Sequence, residues 1–158
     1  MHIRLDYLRG PEIIALLEEH LQAMHRVSPP GSIHALDLER LRLPEITFWT
    51  VWSGRELAGC GALREINWQH GEIKSMRTSA THRRQGVASR LMKHLIAEAD
   101  RRGYARLSLE TGAQPYFEPA RQLYTAFGFT RCGPFDGYVD DPNSVFMSRA
   151  LMGKNHAG

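Results

Sequence analysis

Cysteine is scarce in this sequence, which has only Cys60 and Cys132, far apart and in no CxxC pattern. A disulfide scaffold and a cysteine-based zinc site are therefore not indicated, and we expect a reduced, cytoplasmic protein without a bound metal. Long apolar runs are also missing, since no stretch approaches the ~20 residues of a membrane-spanning helix. The first residues lack the charged-then-apolar layout of a signal peptide. The sequence thus favours a protein that acts away from membranes.

Charge is not concentrated along the chain, although the formal net charge is +3. Basic residues are scattered, apart from the pairs Arg83-Arg84 and Arg101-Arg102. No zinc-finger or RNP-type pattern accompanies them, so a nucleic-acid partner is not expected. A small excess of positive charge suits a polyphosphate ligand equally well. The length of 158 residues is typical of one domain, which we place at residues 1–152, followed by a flexible tail at 153–158.

Hydrophobic periodicity predicts a mixed α/β (α+β) fold. Alternating apolar residues and turn signals predict strands at about 3–7, 47–52, 56–66, 72–78, 105–111, 129–132 and 144–151. Helical spacing predicts helices at about 11–25, 36–41, 87–101 and 119–127. Gly59 and Gly61 interrupt a strand that reads as central, where glycine marks a bulge or a close backbone approach. Hairpins plus one strand–helix–strand crossover make a mixed sheet.

The stretch from Glu72 to Gly103 combines a strand, a basic loop and an amphipathic helix. The loop carries Arg83 and Arg84, and Gly86 stands where the helix begins. The first amides of a helix have no internal partner and lie at the positive end of the helix dipole, so they bind phosphate readily. The pattern therefore indicates an anion site, although an ordinary loop–helix junction with a solvated arginine pair would have the same composition.

The spacing Arg83-x-x-Gly86-x-Ala88 resembles the acyl-CoA pyrophosphate loop of the GNAT superfamily of N-acetyltransferases. It differs from a P-loop and from the Rossmann glycine pattern, neither of which occurs here. The predicted order of strands and helices is also similar to that of a GNAT domain over nearly the whole chain. The resemblance implies a mixed, mostly antiparallel central sheet of about six to seven strands, flanked by about four helices.

The resemblance also implies acetyl-CoA as the acyl-donor cosubstrate. Its pantetheine arm would pair with the end of the central strand, and its pyrophosphate would lie on the loop and helix start. The implied contacts are Met76, Arg77, Thr78, Arg83, Arg84, Gln85, Gly86, Val87, Ala88, Ser89 and Tyr124. A backbone amide near Met76 to Thr78 would polarise the thioester carbonyl. The chain departs from the family at Phe117, where members often carry an asparagine that contacts pantetheine.

Three residues are candidates for proton transfer. Tyr124 precedes Gly128-Phe129, as does a tyrosine that in the family often faces the cofactor sulfur, so it is a candidate general acid. Its alternative is a core aromatic on a helix face. Glu72 lies where certain members carry a glutamate base; its alternative is an exposed carboxylate at a strand start. Glu110, at the end of the next strand, is a second candidate base.

The resemblance places the acceptor pocket between the first two helices and the late loops. Candidate acceptor contacts are His25, His34, Glu110 and Tyr138. We expect transfer of acetyl to a primary amine of a small or amino-acid-like molecule, by a monomer or a homodimer. The alternatives are a protein or peptide N-acetyltransferase and a non-catalytic acyl-CoA-binding module.

Overall fold

Seven strands and four α-helices follow one another along the described part of the chain, residues 1–32 and 38–152 of this computed structural model. The strands are β1 (His2–Leu5), β2 (Ile46–Ser53), β3 (Glu56–Asn67), β4 (His70–Thr78), β5 (Arg106–Gly112), β6 (Thr130–Cys132) and β7 (Ser144–Ala150). The helices are α1 (Pro11–Val27), α2 (Leu38–Leu41), α3 (Val87–Arg101) and α4 (Glu118–Ala126). Their order along the chain is the one that periodicity predicted.

The strands form one sheet in the order β1-β2-β3-β4-β5-β7-β6. Every pairing is antiparallel except that of β4 with β5, which α3 connects as a crossover. The prediction of a mixed, mostly antiparallel sheet with about seven strands and about four helices is therefore confirmed.

Helices cover both faces of this sheet. On one face α3 and α4 pack against the larger core cluster, which includes Leu63, Leu95 and Leu109. On the other face α1 and α2 pack against a smaller cluster, which includes Ile13 and Phe48. The apolar positions of each helix thus point at the sheet, and a cleft opens between β4 and β5 at its centre.

The two strand glycines of β3 lie directly under α3. A Cβ at Gly59 would stand 2.7 Å from Val87 Cγ1, and one at Gly61 would stand 2.8 Å from Met76 Sδ. The register with β4 also shifts between Cys60 and Ala62, which marks a bulge. Of the two alternatives for these glycines, a close approach is confirmed, since a Gly59 Cβ would also stand 2.9 Å from the Arg77 carbonyl oxygen, and the bulge lies opposite Gly61, in β4.

Two sequence-based expectations fall outside the described residues. The predicted second helix included Leu36, whereas the described α2 begins at Leu38, and His34 lies in the same undescribed segment, 33–37. The tail at 153–158 is likewise outside the described ranges. Across residues 1–32 and 38–152, no helix is both long and apolar enough to span a membrane.

Candidate active site

The central strands β4 and β5 separate part of the way along their length. Their parallel pairing ends at Ile73 and Leu109, yet β4 continues to Thr78 and β5 to Gly112. Beyond Ile73 the β5-facing edge of β4 has no strand partner within the described ranges. Backbone groups that face a gap of this kind are free to bind an extended ligand arm by strand-like hydrogen bonds.

A bulge in β4 aims its side chains at this point. Ser75 adopts a left-handed conformation, with φ of +57°, and its carbonyl oxygen accepts a hydrogen bond from Cys60 Sγ at 3.3 Å. The extra residue keeps Met76 on the α3 side of the sheet, where it contacts the core, and Arg77 on the α1 side, where it bonds Glu19. A bulge beside a functional gap commonly redirects side chains in this way.

The separation of β4 and β5 opens into a cleft of about 780 Å³, part of it open to solvent. The cleft is lined by α1, the segment after α1, β4, β5, α4 and the loop before β7. Its lining includes His20, Ser28, Ser32, Glu72, Met76, Glu110, Phe117, Tyr124 and Tyr138. Five candidate site residues named from the sequence are therefore brought to one cavity: Glu72, Met76, Glu110, Tyr124 and Tyr138.

The loop before α3 presents a helix N-terminus to solvent. Gly86 is the N-cap residue, with a left-handed φ of +78°, and the described chain supplies no side-chain cap there. Arg83, Arg84, Gln85 and Gly86 are all exposed. Uncapped first-turn amides beside exposed cations are the features of a phosphate site.

The same loop is anchored from beneath by His82, which is buried. Its Nδ1 lies 2.8 Å from Ser79 Oγ, and its Nε2 lies 3.2 Å from Glu56 Oε2. Arg84 adopts φ of +62°, a left-handed conformation that favours glycine.

Tyr124 projects from α4 into the cleft and packs against the core. It is 8% exposed, and its ring centroid lies 6.2 Å from that of Phe129. Burial, with a smaller contribution from the charge of Glu110, raises the pKa of Tyr124 to about 12. The phenol therefore stays protonated at neutral pH. Tyr124 thus belongs to both the core and the cleft lining, and its role as general acid stays a prediction.

Glu110 lies on β5 and faces the cleft just beyond the last β4–β5 pair. Burial raises its pKa to about 7, and the nearby charges of Glu72 and Asp141 act in the same direction, whereas Lys74 opposes them. A carboxyl group with a pKa near neutrality can accept a proton and release it under the same conditions.

Glu72 is only 1% exposed, so the exposed-carboxylate alternative for this residue is wrong. Its Oε1 accepts a hydrogen bond from Arg64 Nε at 2.8 Å. Its Oε2 accepts one from the Tyr138 hydroxyl at 2.6 Å and a longer one from Lys74 Nζ at 3.4 Å. Burial of a carboxylate at this depth is tolerated because two cations and a hydroxyl surround it.

Sequence reasoning missed His20, which lines the cleft from α1. Burial, reinforced by the charge of Arg77, lowers its pKa to about 4, so the imidazole is neutral at pH 7. His25, the histidine that we named, is exposed and is not part of the cleft lining. Helical spacing from the inward-facing Ile13 and Leu16 would have selected His20, seven and four residues later, over His25.

The departure at Phe117 leaves an apolar wall in the cleft. Phe117 is 9% exposed, lines the cleft and packs edge-on against Tyr116 at 4.9 Å between ring centroids. It therefore takes part in both the core and the cleft wall.

As for metals, the part of the chain that the structure describes contains no cluster of three or more His, Cys, Asp or Glu residues suited to hold an ion.

Comparison with known proteins identifies the family. The model of the Acetyltransferase (GNAT) family matches residues 13–129. A relative from Bacillus subtilis (strain 168), the uncharacterized N-acetyltransferase YsnE, is 61% identical over 96% of this chain and 100% of its own length. The IAA acetyltransferase of Azospirillum brasilense is 34% identical over 88% of this chain and 90% of its own length.

Solved structures agree on the fold. A Bacillus subtilis acetyltransferase in complex with CoA superposes with a TM-score of 0.70 at 20% identity, covering 95% of this chain and 98% of that chain. The fold and the relatives together define an acyl-CoA-dependent transferase. The chain belongs to the GNAT family of acetyltransferases.

Proposed function

We propose that this protein moves the acetyl group of acetyl-CoA directly to a primary amine of a small or amino-acid-like molecule. The observation that carries the proposal is that Tyr124, a protonated phenol, and Glu110, a carboxyl with a pKa of about 7, line the same cleft where β4 and β5 separate. One group is suited to give a proton and the other to accept one.

The chain has suitable residues for acetyl-CoA. The unpaired edge of β4 from Lys74 to Thr78 matches an amide-containing arm, and the uncapped start of α3 at Gly86 matches a diphosphate. Apart from the adjoining residues, no heavy atom lies within 4 Å of the position that a Gly86 Cβ would take, so an anion can approach the amides. When bound, acetyl-CoA supplies the acetyl group as a thioester and departs as a thiol.

Glu110 would prepare the acceptor. An alkylammonium has an ordinary pKa of about 10.4, so it must lose a proton before its nitrogen can attack a carbonyl. The ionised Glu110 carboxylate attracts the cation into the cleft and accepts that proton, either directly or through water. A backbone amide in the Met76 to Thr78 region that faces the unpaired edge of β4 would donate to an oxygen that gains negative charge.

The cleft favours a small acceptor over a protein. Ser32, at the end of the segment after α1, donates a hydrogen bond from Oγ to Asp141 Oδ2 at 2.6 Å. This contact closes the acceptor side by joining the α1 region to the loop before β7. A protein or peptide substrate would need an open groove at this point, and a non-catalytic module would have no use for the Glu110 and Tyr124 pair.

Ligand-induced stabilisation tests the cosubstrate first. At about 100 times the dissociation constant, a ligand adds about 2.7 kcal/mol to the free energy of unfolding. For a protein of this size the melting temperature should rise by roughly 5–10 °C. We expect this shift with acetyl-CoA and with CoA but not with ATP. If none of the three shifts the melting curve, acetyl-CoA is not the cosubstrate.

Turnover then decides the acceptor class. CoA release should be followed with panels of free amino acids, diamines and lysine-containing peptides at equal amine concentration. We expect turnover among the small amines. Turnover confined to the peptides would instead support the protein-acetyltransferase alternative, and binding without any turnover would support the acyl-CoA-binding module.

The variant Tyr124→Phe isolates the role of the phenol. Loss of a general acid typically slows catalysis by roughly 10²–10⁴-fold, so we expect kcat to fall within this range. The ring remains, so the melting-temperature shift with acetyl-CoA should be retained. Unchanged kcat in Tyr124→Phe would show that the phenol is only a packing residue.

A further inference from the structure

Glu72 is the buried centre of a cluster that links the sheet to the loop before β7. We define the Glu72 cluster as Arg64, Glu72, Lys74, Asp136 and Tyr138, and the late loop as residues 133–143. Both carboxylate oxygens of Glu72 are already engaged, one by Arg64 and the other by Tyr138 and Lys74. These bonds occupy much of the acceptor capacity of the carboxylate, and they are the contacts that a structural role needs.

The cluster fixes the late loop at two positions. The Tyr138 hydroxyl donates a hydrogen bond to Glu72 Oε2 at 2.6 Å, and Arg64 Nη2 pairs with the Asp136 carboxylate. Lys74 Nζ also donates to the Tyr138 hydroxyl at 3.0 Å. Two residues of the late loop are thus held by Glu72 on the central strand. Tyr138 bonds the Glu72 carboxylate directly, and Asp136 is linked to it through Arg64.

Aromatic packing makes the Tyr138 side chain part of the cleft wall. The Tyr138 ring lies 5.0 Å from that of Phe135 and 5.5 Å from that of Phe146, measured between centroids. Tyr138 itself lines the cleft on the acceptor side. Burial, together with the adjacent Glu72 carboxylate, raises the pKa of Tyr138 well above its ordinary value, so its hydroxyl remains a hydrogen-bond donor.

We propose that Glu72 is a positioning residue that holds the late loop, through Tyr138 and the Arg64–Asp136 pair, as the acceptor-side wall of the active site. On this assignment the proton acceptor is Glu110, and Glu72 governs the affinity for the amine. The inference rests on the proposed function for its kinetic part, whereas the tether itself is a property of the protein without substrate.

Hydrogen–deuterium exchange of the ligand-free protein tests the tether without any turnover. Tyr138→Phe removes the hydroxyl and keeps the ring, and we expect backbone exchange in residues 133–143 to rise at least about tenfold, with no change in residues 80–90. Tyr104→Phe is the matched control, because the Tyr104 hydroxyl donates a comparable bond to Glu65 at 2.7 Å outside the cleft. Unchanged exchange of the late loop in Tyr138→Phe would overturn the proposal.

Steady-state kinetics distinguish positioning from proton transfer. In Glu72→Gln and in Tyr138→Phe we expect KM for the amine to rise about tenfold, with KM for acetyl-CoA and the pH dependence unchanged and kcat within about threefold of the parent. The double variant should be little worse than Glu72→Gln alone, because the Tyr138 hydroxyl acts through its bond to Glu72. Loss of the pH dependence in Glu72→Gln, together with turnover slowed by at least about 100-fold, would instead make Glu72 the base.

The two tests fail in different ways. If no amine is acetylated by the parent protein, the proposed function fails and the exchange experiment still decides whether Glu72 tethers the loop. If Glu72→Gln does not fold, Tyr138→Phe carries both measurements, since its change lies outside the strands.

Discussion

Gly86→Glu should abolish binding of acetyl-CoA. The substitution places a carboxylate at the N-cap of α3, beside the amides that would receive the diphosphate. Two like charges about 4 Å apart repel by about 4 kcal/mol at the effective dielectric of a protein surface. We therefore expect the dissociation constant to rise by at least about 100-fold. The measurement is the melting-temperature shift with acetyl-CoA, supported by calorimetric titration.

A second glycine of the same helix provides the control. Gly103 follows the C-terminus of α3 with φ of +83°, close to the +78° of Gly86, and both have open space where a Cβ would stand. Gly103→Glu thus introduces the same strain and the same charge at the far end of the helix. It should lower the melting temperature of the free protein while keeping the shift with acetyl-CoA. Native affinity in Gly86→Glu would show that the loop assignment is wrong.

Much of the fold could be predicted because local patterns and the overall structure agree. The helices α3 and α4 show apolar residues at helical spacing, and β2 is rich in β-branched and aromatic residues. The glycines of β3 predicted a bulge or a close backbone approach, because only backbone conformation or crowding makes glycine useful in a central strand. These features depend on residues close together in the sequence.

The environment of Glu72 could not be predicted, because it depends on residues far apart. Its partner Arg64 is eight residues away and Tyr138 is 66 residues away, and only the folded sheet and the late loop bring them together. A glutamate at the start of a strand gives no sign of burial by itself. The correct face of α1, by contrast, was available from helical spacing, which separates His20 from His25.

The raised pKa of Glu110 leads to a prediction about stability as well as activity. The ordinary pKa of such a group is near 4.5, and the value in the folded protein is about 7. The folded state therefore binds more protons than the unfolded state between these two pH values, so this group makes the free energy of unfolding fall as pH rises from about 4.5 to about 7. Above pH 7 Glu110 is ionised in the folded protein, and its buried charge lowers the free energy of unfolding by the full amount.

Glu110→Gln should consequently lose activity and gain stability. Removal of the carboxylate should raise the free energy of unfolding of the ligand-free protein by up to about 3 kcal/mol at pH 8, with little change at pH 4.5. It should also lower kcat by roughly 10²–10⁴-fold and remove the rise in kcat/KM centred near pH 7. Thermal unfolding at the two pH values and a pH–rate profile measure both effects.

The control for Glu110→Gln is Glu45→Gln, at an exposed position before β2, which should alter neither property. If kcat/KM of Glu110→Gln still rises with pH near pH 7, then another group accepts the proton. If Glu110→Gln is no more stable than the parent at pH 8, then burial does not disfavour the ionised form of the Glu110 carboxylate. Both effects together would mean that the same buried negative charge that destabilises the free protein is the one that receives the proton of the amine.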